Sequence, residues 1–130
     1  MDLNLAPGLT GEKSDVVTEN NTAICYGSGN VPVYATPAMI GLMEGAAVAA
    51  LAAHLPGGVS TVGTDLKVKH TAATPVGLTV RATAELLEVD GRRLVFAVQA
   101  FDEREQIGAG THERFVIQVE KFLAKAAAKK

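Results

Sequence analysis

The 130-residue chain predicts an α+β fold in which an antiparallel sheet wraps one long central helix. Two observations carry that expectation. From Pro37 to Ala53 the sequence is almost wholly apolar, and Glu44 is the only Asp, Glu, Lys or Arg between Glu19 and Asp65. A helix that is apolar nearly all round belongs in an interior. Beyond it the pattern changes to a period of two, the mark of strands with one buried face. Strands that follow one another without intervening helices form an antiparallel meander, and a helix hydrophobic on all sides needs that sheet around it.

The elements follow in order. Leu9 to Val17 reads as an edge strand. Asn20-Asn21 and Gly27-Ser28-Gly29-Asn30 then carry turn and loop chemistry. Thr36-Pro37 opens the helix, with Thr as a cap and Pro at the first helical position, and Leu55-Pro56-Gly57-Gly58 stops it. In the strand Thr64 to His70, Leu66, Val68 and His70 share one face, and Asp65, Lys67 and Lys69 the other. A second strand sets Leu78, Val80, Ala82, Ala84 and Leu86 against Thr79, Arg81, Thr83 and Glu85. Asp90-Gly91 is a hairpin signal leading to Leu94–Phe101. A turn near Glu103-Arg104-Glu105 precedes a last strand, about Ile107 to Val119, and a Lys/Ala tail from Lys121 to Lys130 is expected to end as a helix.

Bulk properties narrow the function. The length suits a single domain over 1–130 with one core. A net charge of −2 gives no footprint for a nucleic-acid partner. The start Met1-Asp2-Leu3-Asn4 lacks the basic, continuously apolar pattern of a signal peptide. Two prolines, several glycines and Glu44 interrupt Val31–Leu55 as a membrane span. One cysteine, Cys25, forms no internal disulfide, in keeping with a reducing compartment, and its setting is that of a bystander thiol. A soluble cytoplasmic protein is therefore expected.

Several chemistries are missing. His54, His70 and His112 are scattered without metal-ligand spacing, no phosphate loop or dinucleotide fingerprint is present, and no Gly-x-Ser-x-Gly elbow occurs. No cofactor is expected. What remains is one carboxylate in an apolar helix, one histidine at a strand end, a hydroxyl and backbone amides. Glu44 is either a helix residue that reaches solvent at one edge or a group kept for chemistry. His70 is in phase with the core-facing residues, where a histidine is more often structural, but it leads into the small-residue segment Thr71-Ala72-Ala73-Thr74-Pro75 and so to a cleft. Thr36 is an N-cap or a hydroxyl that holds a carboxylate or a substrate oxygen. Gly63 offers a backbone N–H that a ligand can approach closely. This kit suits hydrolysis of an activated acyl group whose leaving group is a thiolate.

The run Val33-Tyr34-Ala35-Thr36-Pro37-Ala38-Met39-Ile40-Gly41-Leu42-Met43-Glu44 resembles the fluoroacetyl-coenzyme A thioesterase family and its hot dog relatives. So do Gly63-Thr64, His70 to Pro75 and Ile107-Gly108-Ala109-Gly110-Thr111-His112-Glu113-Arg114, in the same order over roughly Val31 to Lys125. The resemblance implies a hot dog fold, a homodimer, an acyl-CoA substrate and a catalytic set of Thr36, Glu44 and His70. In that set Glu44 acts on the thioester carbonyl as nucleophile or as base for water, Thr36 orients it, and His70 supports the departing thiolate. Gly63 then lies beside the acyl group and Arg114 closes the site. Asn30 stands where the family carries a gating phenylalanine, and Gly45 where it carries a tryptophan. His112 and Glu113 receive no catalytic step. The expectation is a thioesterase for a short or medium acyl-CoA; the alternative is a non-catalytic acyl-CoA-binding protein on the same fold.

Overall fold

Packing of the long helix against the sheet begins with a glycine. In the computed structural model, which describes residues 3–130 and so leaves Met1-Asp2 outside, a first strand β1 (Thr10–Val16) lies directly against helix α2 (Thr36–Leu51). A Cβ at Gly11 would overlap the backbone of Ala46 and Ala50 on that helix. Close approach of the two backbones therefore requires Gly here.

Between β1 and α2 runs the expected loop, shaped by two short helical turns. Thr18 caps one of them, Glu19–Asn21, and Thr22 caps the other, α1 (Ala23–Tyr26), which ends at Gly27 in the left-handed region with φ 69°. Helix α2 is followed by one tight turn, Ala52–His54, and by the Pro-Gly-Gly stop.

Four strands follow: β2 (Val59–His70), β3 (Thr79–Asp90), β4 (Arg93–Phe101) and β5 (Gln106–Gln118). A terminal helix, α3 (Val119–Ala127), forms where the tail helix was expected and begins two residues before Lys121. All pairings are antiparallel, in the order β1-β3-β4-β5-β2, so β1 and β2 are the edges. Asp90 pairs with Arg93 across the hairpin, with Gly91 at φ 61°. This curled sheet around α2 is the hot dog fold.

The core is the concave sheet face, with Val80, Ala82, Ala84, Leu86, Leu94, Phe96 and Val98 packed on Met39, Leu42, Met43, Ala46, Ala47 and Leu51. The sheet covers only one side of α2, contrary to burial on every side. Gly41, Val48 and Ala49 on its other side are exposed, Val48 to 48%. The helix is apolar all round, yet one chain buries half of it.

Strand β2 also begins five residues earlier than the alternation indicates, because a bulge breaks its phase. Gly63 pairs with Arg114 and Asp65 with Glu113, leaving Thr64 as the extra residue. Thr61 and Gly63 before the bulge and Leu66, Val68 and His70 after it therefore share the helix-facing side.

Candidate active site

Two motifs far apart in sequence meet at the start of α2. Tyr34 N–H donates to the Thr74 carbonyl at 2.8 Å, Val33 bridges to Pro75, and Thr71 N–H donates to the Ile107 carbonyl at 2.7 Å. Buried Thr74 donates to Asp102 Oδ2 at 2.7 Å, so the segment after His70 is tied on both sides. These bonds bring the end of β2 over the first turn of α2.

There Thr36 Oγ1 and His70 Nδ1 lie 2.7 Å apart. The residue before α2, Ala35, makes no side-chain cap, and Thr36 is inside the first turn with Pro37 after it. Thr36 is thus not an N-cap; its hydroxyl is spent on the imidazole. The other ring nitrogen, His70 Nε2, is buried without a hydrogen-bond partner among the described residues. Burial lowers the His70 pKa, which the Ala72 backbone only partly opposes. A neutral ring with Thr36 donating to Nδ1 presents Nε2–H as a free donor.

Thr36 and His70 line an open cleft of about 360 Å³, together with Ala23, Ser28, Gly29, Val31, Val33 and Ala72. Asn30 itself is exposed and does not line it, although both of its neighbours do. A larger depression of about 510 Å³ along β1, β3 and β4, lined by Glu12, Thr83, Glu85 and Gln99 among others, contains none of the candidate groups.

Glu44 is elsewhere. It follows Thr36 by eight residues, about 12 Å along the axis at 1.5 Å per residue. Its carboxylate is held by Arg114, whose Nη1 donates to Oε2 at 3.2 Å. Arg114 is itself buried, 6% exposed, and four of its five N–H groups are used. Nε donates to Thr61 Oγ1 at 2.9 Å, Nη2 to the Thr61 carbonyl at 3.0 Å, and Nη1 also to His112 Nε2 at 3.1 Å. Burial lowers the Arg114 pKa and Glu44 opposes this only in part, but a guanidinium starts so high that it stays charged. Gly63 adjoins the same carboxylate: a Cβ there would overlap Glu44 Oε2. What Gly63 provides in this chain is room for the carboxylate.

The six expected residues thus fall into two groups plus Asn30. Thr36 and His70 form one; Glu44, Gly63 and Arg114 form the other. Within one chain Thr36 holds His70 and not Glu44, and Arg114, expected to close the site, holds Glu44. Sequence reasoning missed Thr61 and gave His112 no step. Both become visible once the bulge at Thr64 is known, because it puts Thr61 and Gly63 opposite Val116 and Arg114. Among the described residues no cluster of His, Cys, Asp or Glu is arranged to hold a metal ion.

Chemically, one group offers an imidazole oriented by a hydroxyl, and the other a carboxylate fixed by a buried cation. The sequence profile of the family described as fluoroacetyl-CoA-specific thioesterase matches residues 17–120. The chain is 56% identical over 97 residues to the fluoroacetyl-CoA thioesterase of Streptantibioticus cattleyicolor, covering 75% of this chain and 70% of that one. It superposes on a solved structure of a fluoroacetyl-CoA thioesterase with a TM-score of 0.90 at 45% identity, covering 98% of each chain. A variant of such an enzyme in complex with acetyl-CoA matches with a TM-score of 0.91 at 43% identity, covering 97% of this chain and 99% of that one. The chain belongs to the fluoroacetyl-CoA-specific thioesterase family and is, with it, an acyl-CoA thioester hydrolase on the hot dog fold.

Proposed function

We propose that the protein hydrolyses short or medium acyl-CoA thioesters with Thr36, Glu44 and His70, in a homodimer whose sites lie between subunits. The observation that carries this reading is His70: Thr36 fixes its Nδ1 while its Nε2 stays buried and unpartnered beside a cleft. An unmade buried hydrogen bond costs about 1–3 kcal/mol, so a group kept that way is kept for a ligand.

Glu44 takes the acyl carbon's side of the reaction, either attacking the carbonyl or removing a proton from the water that does. As the C–S bond breaks, the neutral His70 donates a hydrogen bond from Nε2–H to the departing thiolate and stabilises its charge. Where Glu44 has attacked, water then hydrolyses the acyl anhydride to free acid and carboxylate. One carbonyl cannot lie within about 3.5 Å of groups set two helical turns apart. A second subunit resolves this by setting its own Thr36 and His70 opposite Glu44. The free flank of edge strand β2 and the exposed apolar side of α2 support such a pairing. The substrate of one relative, fluoroacetyl-CoA, and the acetyl-CoA bound by a variant of another support a small acyl group.

The test is thiol release from acetyl-, fluoroacetyl-, butyryl-, hexanoyl- and phenylacetyl-CoA by wild type and Glu44→Ala. Turnover that falls by orders of magnitude in the variant supports the reading, and the best substrate defines the acyl class. Wild type that binds these esters, gains melting temperature and cleaves none would establish a binding protein instead.

A further inference from the structure

His112 is wholly buried on β5, opposite Leu66, with its ring 6.3 Å from that of Phe96. Both ring nitrogens are engaged, and their partners leave one protonation state. Nδ1 is 2.9 Å from the Asp65 carbonyl oxygen, which only accepts, so Nδ1 carries the hydrogen. Nε2 is 3.1 Å from Arg114 Nη1, which only donates, so Nε2 is a bare lone pair.

Nε2 also lies 3.9 Å from Glu44 Oε2, the distance of a loose ion pair if the ring were charged. A proton on Nε2 would point at an Arg114 N–H, so that ion pair and the observed Arg114 geometry exclude each other. The charged groups facing the ring are Arg114 on its own strand, Glu44 from α2 and Asp65 from β2. Burial, aided by Arg114, depresses its pKa, and Asp65 and Glu44 oppose this only in part.

We propose that His112 is a positioning residue for the thioesterase reaction: its Nε2 lone pair, fixed by the Asp65 carbonyl, holds Arg114 Nη1 where that nitrogen clamps the Glu44 carboxylate. This rests on the role of Glu44 proposed above. Nη1 spans Glu44 and His112, while Thr61 anchors Nε and Nη2. Thr61 therefore fixes the plane of the guanidinium, and His112 fixes its outer corner. Without that corner Glu44 has a partner that tilts, and a carboxylate displaced by an ångström loses most of its catalytic value.

Two measurements test this. Long-range ¹H–¹⁵N correlation spectra of the imidazoles, in wild type and in Glu44→Gln, need no activity. His112 is expected to show the neutral Nδ1–H tautomer unchanged from pH 8 to about 6, and an Nε2–H tautomer, or titration near the ordinary histidine value, overturns the proposal. For kinetics, His112→Leu removes the acceptor, whereas His112→Gln keeps one at the Nε2 position. The expected result is a kcat about 10- to 100-fold lower in His112→Leu with KM little changed, recovery to within about 3-fold in His112→Gln, and no added loss from His112→Leu in a Glu44→Gln background. Equal losses in both His112 variants, a change confined to KM, or additivity with Glu44→Gln would each overturn it. If His112→Leu does not fold, the glutamine variant and the spectra decide. A wild type without thioesterase activity would defeat the proposed function, and the spectra would still judge the His112–Arg114 geometry.

Discussion

Thr36 Oγ1 rests 2.7 Å from His70 Nδ1, joining the first turn of the central helix to the last residue of β2 across 34 positions of sequence. The bond orients the ring and decides which nitrogen faces the cleft. Thr36→Ala is expected to reduce kcat about 10²-fold, the scale of a misplaced hydrogen-bond donor at the developing charge, while Thr36→Ser retains most of it. Equal losses in both variants would show that the methyl, not the hydroxyl, matters. Thr36 is exposed and caps nothing, so the melting temperature of either variant should move little.

Gly63 is a space requirement. An added Cβ would overlap Glu44 Oε2 and sit 3.1 Å from His112 Cε1 and 3.3 Å from Arg114 Nη1. Because the obstructed atom is a side-chain carboxylate that can swing aside, Gly63→Ala should fold. Its kcat should fall about 10²-fold or more, as expected when a reacting group is displaced by an ångström. Wild-type kcat in Gly63→Ala would mean that the carboxylate acts from another position.

The contrast between those two positions shows what could be read from residues alone. The helix, its start and its stop were legible, because a continuous apolar run between Thr36-Pro37 and Pro56-Gly57-Gly58 leaves little choice. Thr36 was read as a possible cap because Thr before Pro at a helix start has that local meaning; its actual partner lies on another element. Thr61 was invisible for a related reason. The bulge at Thr64 shifts strand phase by one, and only pairing with β5 reveals it. Arg114 illustrates the same limit, since a position within a motif does not say that its N–H groups are already committed to Thr61, His112 and Glu44.

Gly11 tests the fold rather than the site. A side chain there would meet backbone atoms of Ala46 and Ala50, which cannot swing aside. Gly11→Val should destabilise the protein by about 1–3 kcal/mol, several degrees of melting temperature for a domain of this size. The fraction that remains folded should turn over at the wild-type rate.

Acid should loosen the fold through half-buried His70 and buried His112. The pKa values of His70 and His112 are both lowered below 6.5, first by burial, so the native state favours the neutral rings. The unfolded chain binds these protons more readily, and stability therefore rises with pH in this window. Their contribution is fully present above about pH 6.5 and is lost as pH falls through the lower native values. Melting temperature should be flat from pH 7 to 8 and fall as pH drops below about 6.5, with a shallower fall in His112→Gln. A fall of the same slope in that variant would remove His112 from the explanation.

The separation of Glu44 from Thr36 and His70 within one chain makes the subunit arrangement testable by complementation. Glu44→Ala and His70→Ala should each be inactive alone. In a dimer that joins Glu44 of one subunit to the partner's His70, a mixed dimer of the two variants rebuilds one intact site and ruins the other. Random reassortment makes half the dimers mixed, so activity should return to about a quarter of wild type. A site contained in one chain would gain nothing from mixing, since every chain would carry a defect in its own site. Recovery that appears only after the variants are unfolded and refolded together would also show that subunit exchange, not contamination, is its source. A stable monomer with full activity would refute the shared site outright.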